Sequence, residues 1–323
     1  MENILVTGGA GYIGSHVVER LIKLRKNVFI VDNLSTGKMK LINKKAKFFK
    51  CDIKNYKRLD IIIRQNKIQS IIHLAACLSV GESQKNPRKY YRNNVLGTKN
   101  LIKSSLKNQI KNFVFSSTCA VYKDGLITVS ENSKLFPKSV YGKTKLLGEK
   151  NILKFFKLRK VNFAILRYFN VAGASNSGEI GQITKGDQLF KNLSIVSKQK
   201  YPQINVYGND YHTQDGTCIR DYIHVSDIAD IHIRVLNKIK INKKSIILNC
   251  GYGNGISVLD AINEFQKQIK KNIKIKFLNR RKGDMEQIIS DNKKIKRYLK
   301  WSPRKNNLTW IVKSCISWEK KIK

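Results

Sequence analysis

Short β-branched and apolar runs alternate with amphipathic stretches along the first half of the chain. By this pattern strands are predicted at 4–7, 28–31, 46–50, 70–74, 112–116 and 161–167. Helices are predicted between them at 13–24, 56–65, 87–106 and 141–156, and the third begins with a proline, which suits the first turn of a helix. Strand followed by helix, repeated, predicts an α/β fold whose doubly wound parallel sheet is covered on both faces.

This alternation ends near residue 170, where a stretch rich in glycine, serine and asparagine follows. Beyond it the pattern is mixed, with short strands predicted at 206–207, 246–249 and 273–278 and a final amphipathic helix over 301–323. We therefore predict a first domain over 1–170 and a smaller mixed α/β lobe over 171–323, from which some segments return to the first.

Lysine dominates the composition, and it changes the range of partners to consider. The chain of 323 residues carries 63 Lys and Arg against 22 Asp and Glu, a net charge of +41, and 49 of the basic residues are lysines. Such a charge can attract nucleic acid or an anionic membrane. The lysines are spread thinly and are enriched together with asparagine and isoleucine, as a coding bias would produce. We therefore predict no specific nucleic-acid partner.

The cysteines and the apolar runs bear on the compartment. The six cysteines form no Cys-x-x-Cys pair and have no histidine at metal-ligand spacing, and no signal peptide precedes Glu2. No apolar run approaches the roughly 18 to 20 residues that a membrane span requires. We expect a reduced, cytoplasmic protein with no metal and no membrane association.

A glycine motif follows the first predicted strand directly. Gly8, Gly11 and Gly14 have the spacing Gly-x-x-Gly-x-x-Gly and lead into the helix at 13–24. Glycine lets the backbone approach a pyrophosphate, and the helix N-terminus supplies amide donors to it. Asp32 ends the second strand, where a carboxylate binds the adenosine ribose and repels the 2′-phosphate of NADP. The pattern predicts a Rossmann-type domain that binds NAD.

A tyrosine and a lysine four residues apart, Tyr141 and Lys145, share one face of a predicted helix. About two such pairs are expected by chance at this composition, so the spacing alone is weak. Ser116 and Thr118 add hydroxyls at the carboxyl end of a strand, the edge where open α/β sheets bind ligands. We expect Tyr141 to act as the acid and base, with Lys145 lowering its pKa and holding the cofactor ribose.

These residues resemble the extended short-chain dehydrogenase/reductase family, and within it the enzymes that epimerise UDP-hexoses at C4. The similarity runs nearly end to end, and the second-lobe matches are the more specific, because dehydratases, decarboxylases and reductases share the first-lobe motifs. The matching strings are 8–16, 32–37, 73–76, 91–98, 116–122 and 166–170, then 207–211, 215–225, 249–253 and 280–284.

The resemblance implies that a tightly held NAD stores the hydride from C4 of the hexose while UDP-glucose and UDP-galactose are interconverted. It assigns proton transfer at the 4-hydroxyl to Tyr141 and a hydrogen bond to the reacting oxygen to Thr118. The 4-keto sugar turns over in the site, held by its diphosphate between Arg220 and Arg281, whose planar donor forks suit that anion. A homodimer, built by pairing the helices at 87–106 and 141–156, is also implied.

Two sets of contact residues follow from the matched positions. For the cofactor they are Gly8, Gly11, Tyr12, Ile13, Gly14, Asp32, Asn33, Ser35, Thr36, Gly37, Asp52, Ile53, Leu74, Ala75, Ala76, Asn93, Ser116, Tyr141, Lys145 and Phe169. For the nucleotide sugar they are Thr118, Tyr141, Asn170, Gln188, Leu189, Asn205, Tyr207, Arg220, Arg281 and Asp284. Asp52 has an alternative interpretation as a turn or helix cap.

Three alternatives remain open from the sequence. A 4,6-dehydratase or a decarboxylase of the same family is one, although Cys119 and Ala120 after Thr118 cannot expel the C6 oxygen. A second is an epimerase for N-acetylhexosamines, because Ile288, four residues after Asp284, is of intermediate bulk. A third is a non-catalytic NAD-binding regulator.

Overall fold

The computed structural model describes residues 1–184, 186–281 and 283–322. Its strands are β1 (Asn3–Thr7), β2 (Asn27–Asp32), β3 (Lys47–Lys50), β4 (Ser70–His73), β5 (Asn112–Thr118), β6 (Thr128–Val129), β7 (Asn162–Tyr168), β8 (Asn170–Ala172), β9 (Gln203–Tyr207), β10 (Ile219–His224), β11 (Ile246–Cys250), β12 (Gly255–Ser257), β13 (Lys274–Leu278) and β14 (Gln287–Ser290). Its α-helices are α1 (Tyr12–Lys23), α2 (Tyr56–Gln65), α3 (Val80–Lys85), α4 (Pro87–Tyr90), α5 (Gly97–Lys107), α6 (Val140–Leu158), α7 (Leu189–Val196), α8 (Val225–Asn242), α9 (Val258–Ile269), α10 (Lys293–Leu299) and α11 (Leu308–Lys321).

A parallel sheet in the order β3-β2-β1-β4-β5-β7-β11 forms the centre of the first lobe. Thr7 at the end of β1 lies between Val31 of β2 and His73 of β4, and His73 in turn pairs with Phe115 of β5. The carboxyl ends of these strands therefore meet at one edge of the sheet. The doubly wound α/β fold predicted from the sequence is confirmed.

Apolar helices cover both faces of this sheet, as expected for parallel strands that are buried on both sides. One face packs against α1 and α8 and the other against α2, α5 and α6. Fully buried residues of the two layers include Val17, Leu21, Ile228 and Leu236 on the first face and Leu59, Leu101, Ile152 and Phe156 on the second. Burial of each such side chain contributes about 1.5–3 kcal/mol.

The second lobe contains a sheet in the order β12-β10-β14-β6, with β8 beside β10, and a separate parallel pair of β9 and β13. The chain passes between the lobes more than once. Strand β6 lies before residue 170 but pairs with β14, whereas β11 and α8 lie after it and complete the first lobe. The division at residue 170 stays a prediction, with these segments as the returns that it allowed.

Two predicted helices differ in detail from the structure. The stretch predicted at 87–106 is α4, a π-helical turn over Tyr91–Leu96, and α5, so its register shifts midway. The last helix begins at Leu308 rather than near 301, because Asn307 caps it by accepting from the Trp310 amide. Its predicted last residue, 323, lies outside the described part of the chain.

No helix within residues 1–184, 186–281 and 283–322 has both the length and the apolar character needed to cross a bilayer.

Candidate functional site

The glycine turn between β1 and α1 is as tight as the motif predicts. Gly8 has φ +74°, and a Cβ on it would lie 2.7 Å from the amide nitrogen of Ala75. A Cβ on Gly14 would lie 2.0 Å from the carbonyl oxygen of Gly8. Gly11 is more open, since its Cβ would meet only that same oxygen, at 3.2 Å. The backbone can therefore approach an anion closely in front of the first turn of α1, which begins at Tyr12.

Asp32 lies at the end of β2 beside this turn, as expected. Its carboxylate accepts from the amides of Ala10 at 3.1 Å and Leu34 at 2.8 Å. Burial raises the pKa of Asp32, and these two hydrogen bonds oppose the rise. A Cβ on Gly37 would lie 2.8 Å from the same carboxylate, so the loop 33–37 folds back over it.

Asn33 and Asp52 are brought together by the structure. Asn33 Nδ2 donates to Asp52 Oδ2 at 2.9 Å, and the other Asp52 oxygen accepts from the Lys54 amide at 2.8 Å. The burial of Asp52 acts to raise its pKa, but these hydrogen bonds outweigh it and the pKa is lowered. The turn-forming interpretation of Asp52 is therefore realised, and a ligand contact through the same side chain stays a prediction.

Helix α6 places the predicted catalytic pair against the end of β5. Ser139 caps the helix by accepting from the Gly142 amide at 3.0 Å, which sets Tyr141 in the first turn. Lys145 is 3% exposed, and its Nζ donates to the carbonyl oxygen of Ser116 at 2.6 Å. The Thr118 hydroxyl lies near enough to Tyr141 to lower the pKa of its hydroxyl. The three residues predicted to be catalytic thus converge.

Burial shifts the pKa of both Tyr141 and Lys145. Burial raises the pKa of Tyr141, and the nearby Thr118 hydroxyl opposes that rise. Burial also lowers the pKa of Lys145 to about 7, against the attraction of Glu149. Burial disfavours the lysine charge, so the expectation that Lys145 lowers the tyrosine pKa stays a prediction.

The depressed lysine pKa predicts a specific pH dependence of stability. Between pH 7 and the ordinary lysine value of 10.5, the unfolded chain holds a proton that the folded chain has released. The free energy of unfolding should therefore rise with pH in that window relative to Lys145→Met, by about 1.4 kcal/mol per pH unit, and stay level below it. Urea unfolding of both NAD-free proteins at pH 6, 8 and 9 measures this difference. A constant difference at all three values would contradict the assignment.

Glu149, which the sequence analysis did not select, links the helix to the sheet one turn beyond Lys145. It accepts two bonds from Arg167 of β7, at 3.0 and 2.7 Å, and one from Ser117 Oγ at 2.5 Å. Arg167 and Glu149 are 2% and 1% exposed. Tyr141, Lys145 and Glu149 recur every four residues, a signal visible in the sequence. The buried ion pair fixes α6 against β7, and the Ser117 hydrogen bond fixes it against β5, the strand that carries Thr118.

On the second lobe, Arg281 and Asp284 lie together with Tyr207. Arg281 Nε donates to Asp284 Oδ2 at 2.9 Å, and its guanidinium lies 4.6 Å from the centre of the Tyr207 ring. Burial raises the pKa of Tyr222 to about 12, while the nearby charges of Arg220 and Arg281 oppose the rise. Both predicted diphosphate ligands therefore lie close to one buried tyrosine.

Arg220 is held by the backbone of its own strand, β10, and of the segment just before β14. Its Nη1 donates to the carbonyls of Ile219 and Glu286, at 2.9 and 3.1 Å, and Nη2 donates to Met285 at 2.5 Å. Its charge also acts on Cys119, which adjoins Thr118. The guanidinium therefore lies between the second lobe and the catalytic end of β5.

The remaining predicted residues occupy the same edge or the segments facing it. Leu74, Ala75 and Ala76 follow β4, Asn93 lies in the π-helical turn, Phe169 and Asn170 follow β7, Gln188 and Leu189 begin α7, and Asn205 lies on the exposed side of β9. Tyr12, Ile13, Ser35, Thr36 and Ile53 lie in or beside the glycine turn and the loops after β2 and β3. Contacts of all these residues with a ligand stay predictions.

Asn94, which the sequence analysis passed over in favour of Asn93, has the larger structural role. Its side chain accepts from the Cys77 amide at 2.8 Å and donates to the Cys77 carbonyl and to Thr144 Oγ1, both at 3.1 Å. Asn94 is 3% exposed and so ties the segment after β4 to the catalytic helix. Within the dipeptide Asn93-Asn94, no pattern in the sequence distinguishes the two roles.

A comparison with protein families matches residues 4–251 to a model described as the NAD dependent epimerase/dehydratase family. The chain belongs to this family. Among curated relatives of this epimerase/dehydratase, the UDP-glucose 4-epimerase of Pasteurella multocida (strain Pm70) is 39% identical over 330 residues, covering 98% of this chain and 97% of the relative.

Solved structures agree over the whole length. The UDP-glucose-4-epimerase of Stenotrophomonas maltophila, with bound NAD and formylated UDP-arabinopyranose, superposes with a TM-score of 0.94 at 33% identity and covers 99% of this chain and 98% of that one. The UDP-Glc/GlcNAc 4-epimerase of Campylobacter jejuni gives a TM-score of 0.86 at 38% identity, with 100% of each chain covered.

The residues of this chain fit NAD, the cofactor that the family description names. The turn at Gly8, Gly11 and Gly14 leaves no space for side chains at its two closest approaches but opens at Gly11, where a pyrophosphate is expected. The Asp32 carboxylate at the end of β2 suits a ribose diol, and its charge disfavours a 2′-phosphate. NAD is therefore the cofactor that this geometry accepts.

Proposed function

We propose that the protein interconverts UDP-glucose and UDP-galactose by reversible oxidation at C4 of the hexose. The observation that carries this proposal is the convergence of Tyr141, Thr118 and Lys145 at the cofactor edge of the sheet, opposite the second-lobe arginines. The names of the relatives support it, since proteins similar over nearly the full length act at C4 of UDP-glucose.

NAD held at this edge of the sheet would supply a reversible hydride acceptor for C4 of the hexose. Tyr141 removes the proton from the 4-hydroxyl and later gives it back, and the Thr118 hydroxyl orients the reacting oxygen. Because burial raises the pKa of Tyr141, its anion needs a nearby positive charge to form at neutral pH. Protonated Lys145 on the next turn of α6 is the residue of this chain that supplies one.

Turnover of the sugar requires that the ligand be held elsewhere. A 4-keto hexose is neutral and has no charge by which to be anchored, so the diphosphate must retain it. Arg220 and Arg281 supply two planar guanidinium groups on the second lobe for that anion. The hexose can then rotate while the rest of the nucleotide stays bound.

Cys119, the residue after Thr118, disfavours the dehydratase alternative. Elimination at C6 needs an acid there that gives up a proton near neutral pH, and burial raises the pKa of the Cys119 thiol to about 12. Ala120 has no functional group. An epimerase needs neither residue to react, so the site supports epimerisation.

Incubation with UDP-galactose, followed by chromatography of the nucleotides, tests this function. We expect UDP-glucose to form, and a 4-keto-6-deoxy product would instead assign dehydration. UDP-N-acetylgalactosamine is the second substrate to test, because Ile288 is 1% exposed and packs in one cluster with Phe169 and Tyr122. Turnover of the N-acetyl sugar would widen the function to both classes of hexose.

A homodimer is part of the proposal and rests on exposed apolar side chains. Leu147, Phe155 and Leu158 are 37%, 37% and 76% exposed on α6, and Leu96 is 45% exposed on the neighbouring π-helical turn. Light scattering should give twice 37.1 kDa for the native chain and a monomer for Phe155→Glu. Ile241→Glu, at a residue that is 77% exposed on α8, should remain a dimer. A native monomer would contradict this proposal.

A cytoplasmic location is proposed on the state of the cysteines. All six are free thiols in the structure, as is common in reducing compartments. Cell fractionation with an antibody tests this location.

A further inference from the structure

The segment 173–184, between β8 and α7, lies between the C-terminal helix and two loops of the first lobe. On one side, the Tyr12 hydroxyl donates to the Gly173 carbonyl at 2.6 Å and Thr184 Oγ1 donates to the Thr36 carbonyl at 2.9 Å. Tyr12 follows the glycine turn, and Thr36 belongs to the loop that folds over Asp32. Both contacts therefore fall on the loops that are expected to surround NAD.

On its other side the segment is fixed by α11. The backbone amides of Gly173 and Ala174 donate to Cys315 Sγ and Ser314 Oγ, both at 3.2 Å, and the Trp318 indole nitrogen donates to the Gln182 carbonyl at 2.9 Å. Trp318 is 8% exposed, and a Cβ on Gly181 would lie 2.7 Å from its ring. The indole therefore lies directly on the backbone of the segment.

A small apolar cluster joins these two sides. Leu41, Ala174 and Trp318 are its buried members, and Ile180 and Ile183 pack against them. Leu41 belongs to the short helix just after the loop 33–37, so the C-terminal Trp318 and the cofactor loop share one core. To move the segment away from the first lobe, this apolar contact must be broken together with the two hydrogen bonds.

A buried ion pair fixes α11 to α7, the helix that follows the segment 173–184. Lys191 Nζ and Glu319 Oε2 are 2.6 Å apart, and the two side chains are 4% and 8% exposed. Glu319 follows Trp318 directly, and Lys191 lies two residues after Leu189, a predicted nucleotide-sugar ligand. Helix α11, which holds the segment 173–184, is therefore itself anchored to the second lobe through α7.

We propose that the segment 173–184 is a strap that retains NAD, and that Trp318 of α11 is the positioning residue that holds the strap against the first lobe. This inference rests on the NAD binding included in the proposed function. Release of the cofactor from the groove between the glycine turn and the loop 33–37 then requires local opening of the strap. A retained cofactor is what a reaction that returns its own hydride needs.

The test measures release of NAD from the purified holoenzyme, by timed ultrafiltration and chromatography of the filtrate, without any sugar substrate. Trp318→Ala should release NAD at least about tenfold faster than the native chain, because the shared core is lost. Trp310→Ala is the matched control, since this tryptophan lies on the same helix and is 46% exposed. It should release NAD at the native rate.

A second pair of variants separates positioning from general loss of stability. Thr184→Val removes the hydroxyl that contacts Thr36 and keeps the shape of the side chain, and it should speed NAD release about two- to tenfold, the range for one hydrogen bond. Thr184→Ser keeps the hydroxyl and should restore the native rate. Both should unfold at the native temperature. Native release rates for Trp318→Ala and Thr184→Val would overturn the proposal.

Failure of the strap proposal can be distinguished from failure of the proposed epimerase function. Epimerisation of UDP-galactose is assayed separately with saturating NAD, where the control Trp310→Ala should keep kcat within about twofold of the native value. A protein that epimerises but releases NAD equally fast in all variants would refute the strap alone. A protein that retains NAD through Trp318 and Thr184 but converts no UDP-galactose would support the strap and refute the epimerase.

Discussion

Replacement of Tyr141 with phenylalanine is expected to lower kcat for UDP-galactose by about 10²- to 10⁴-fold, the usual contribution of a positioned acid and base. The hydroxyl of Tyr141 is the group near Thr118 at the end of β5, and no ring atom of phenylalanine can replace it in proton transfer. KM should change little, because the diphosphate contacts are on the second lobe. Steady-state kinetics with the holoenzyme measure both constants.

Tyr122→Phe is the matched control for this prediction. The Tyr122 hydroxyl is also buried and donates to Asn249 at 2.6 Å while accepting from Arg167 at 3.0 Å, so its loss should reduce stability. It should leave kcat within a few-fold of the native value. If Tyr141→Phe kept near-native turnover, or if Tyr122→Phe lost as much, the assignment of the acid and base to Tyr141 would be wrong.

The largest expected effect on stability comes from the ion pair between Arg167 and Glu149. Arg167→Leu leaves the Glu149 carboxylate buried without its guanidinium partner, which costs about 3–5 kcal/mol. The loss should appear as a lower midpoint in urea unfolding with an unchanged slope. As urea unfolds the variant, its epimerase activity should fall in parallel with the fraction of folded protein.

The double variant Arg167→Leu with Glu149→Leu removes both charges and should recover much of that loss. A buried ion pair is often no more stabilising than an apolar pair of similar volume. Recovery would show that the single variant suffers from an unpaired charge rather than from lost packing. A single variant less than about 1 kcal/mol below the native chain would contradict the role of this pair.

The central sheet was predictable because each of its strands is indicated by a short stretch of neighbouring residues. Each strand of the first lobe is a short apolar run with a turn after it, and the glycine spacing specified the turn after β1. The return of β11 to this sheet was less visible, because its short apolar run at 246–249 does not indicate its partner. Its neighbour β7 lies some 80 residues earlier in the chain.

The convergence of Tyr141, Thr118 and Lys145 was predictable from spacing and context, whereas the pKa shifts of Tyr141 and Lys145 were not. The pKa of Lys145 depends on the burial of its side chain under β5, and the four-residue spacing from Tyr141 carries no information on that burial. Glu149 had the same spacing but no known chemistry to draw attention to it. Its partner Arg167 comes from another strand, and that contact exists only in the folded chain.

The strap was not predictable for a similar reason. In the sequence, the glycine-rich stretch from Gly173 marks only the end of the alternation of strands and helices, and the final helix is an amphipathic element without an assigned partner. In the fold, Trp318 packs on Gly181 and shares a cluster with Leu41, so residues from three distant parts of the sequence meet. Sequence periodicity predicts which face of a helix is buried, but it does not identify what covers that face.

The central claim is that the hydride removed from C4 returns to the same sugar. The most direct measurement is incubation of the purified holoenzyme with UDP-galactose deuterated at C4, in ordinary water and without added NAD, followed by mass spectrometry and NMR of the product. The account predicts UDP-glucose that keeps the deuterium at C4. Absence of conversion, or UDP-glucose that has lost the label to solvent, would contradict it.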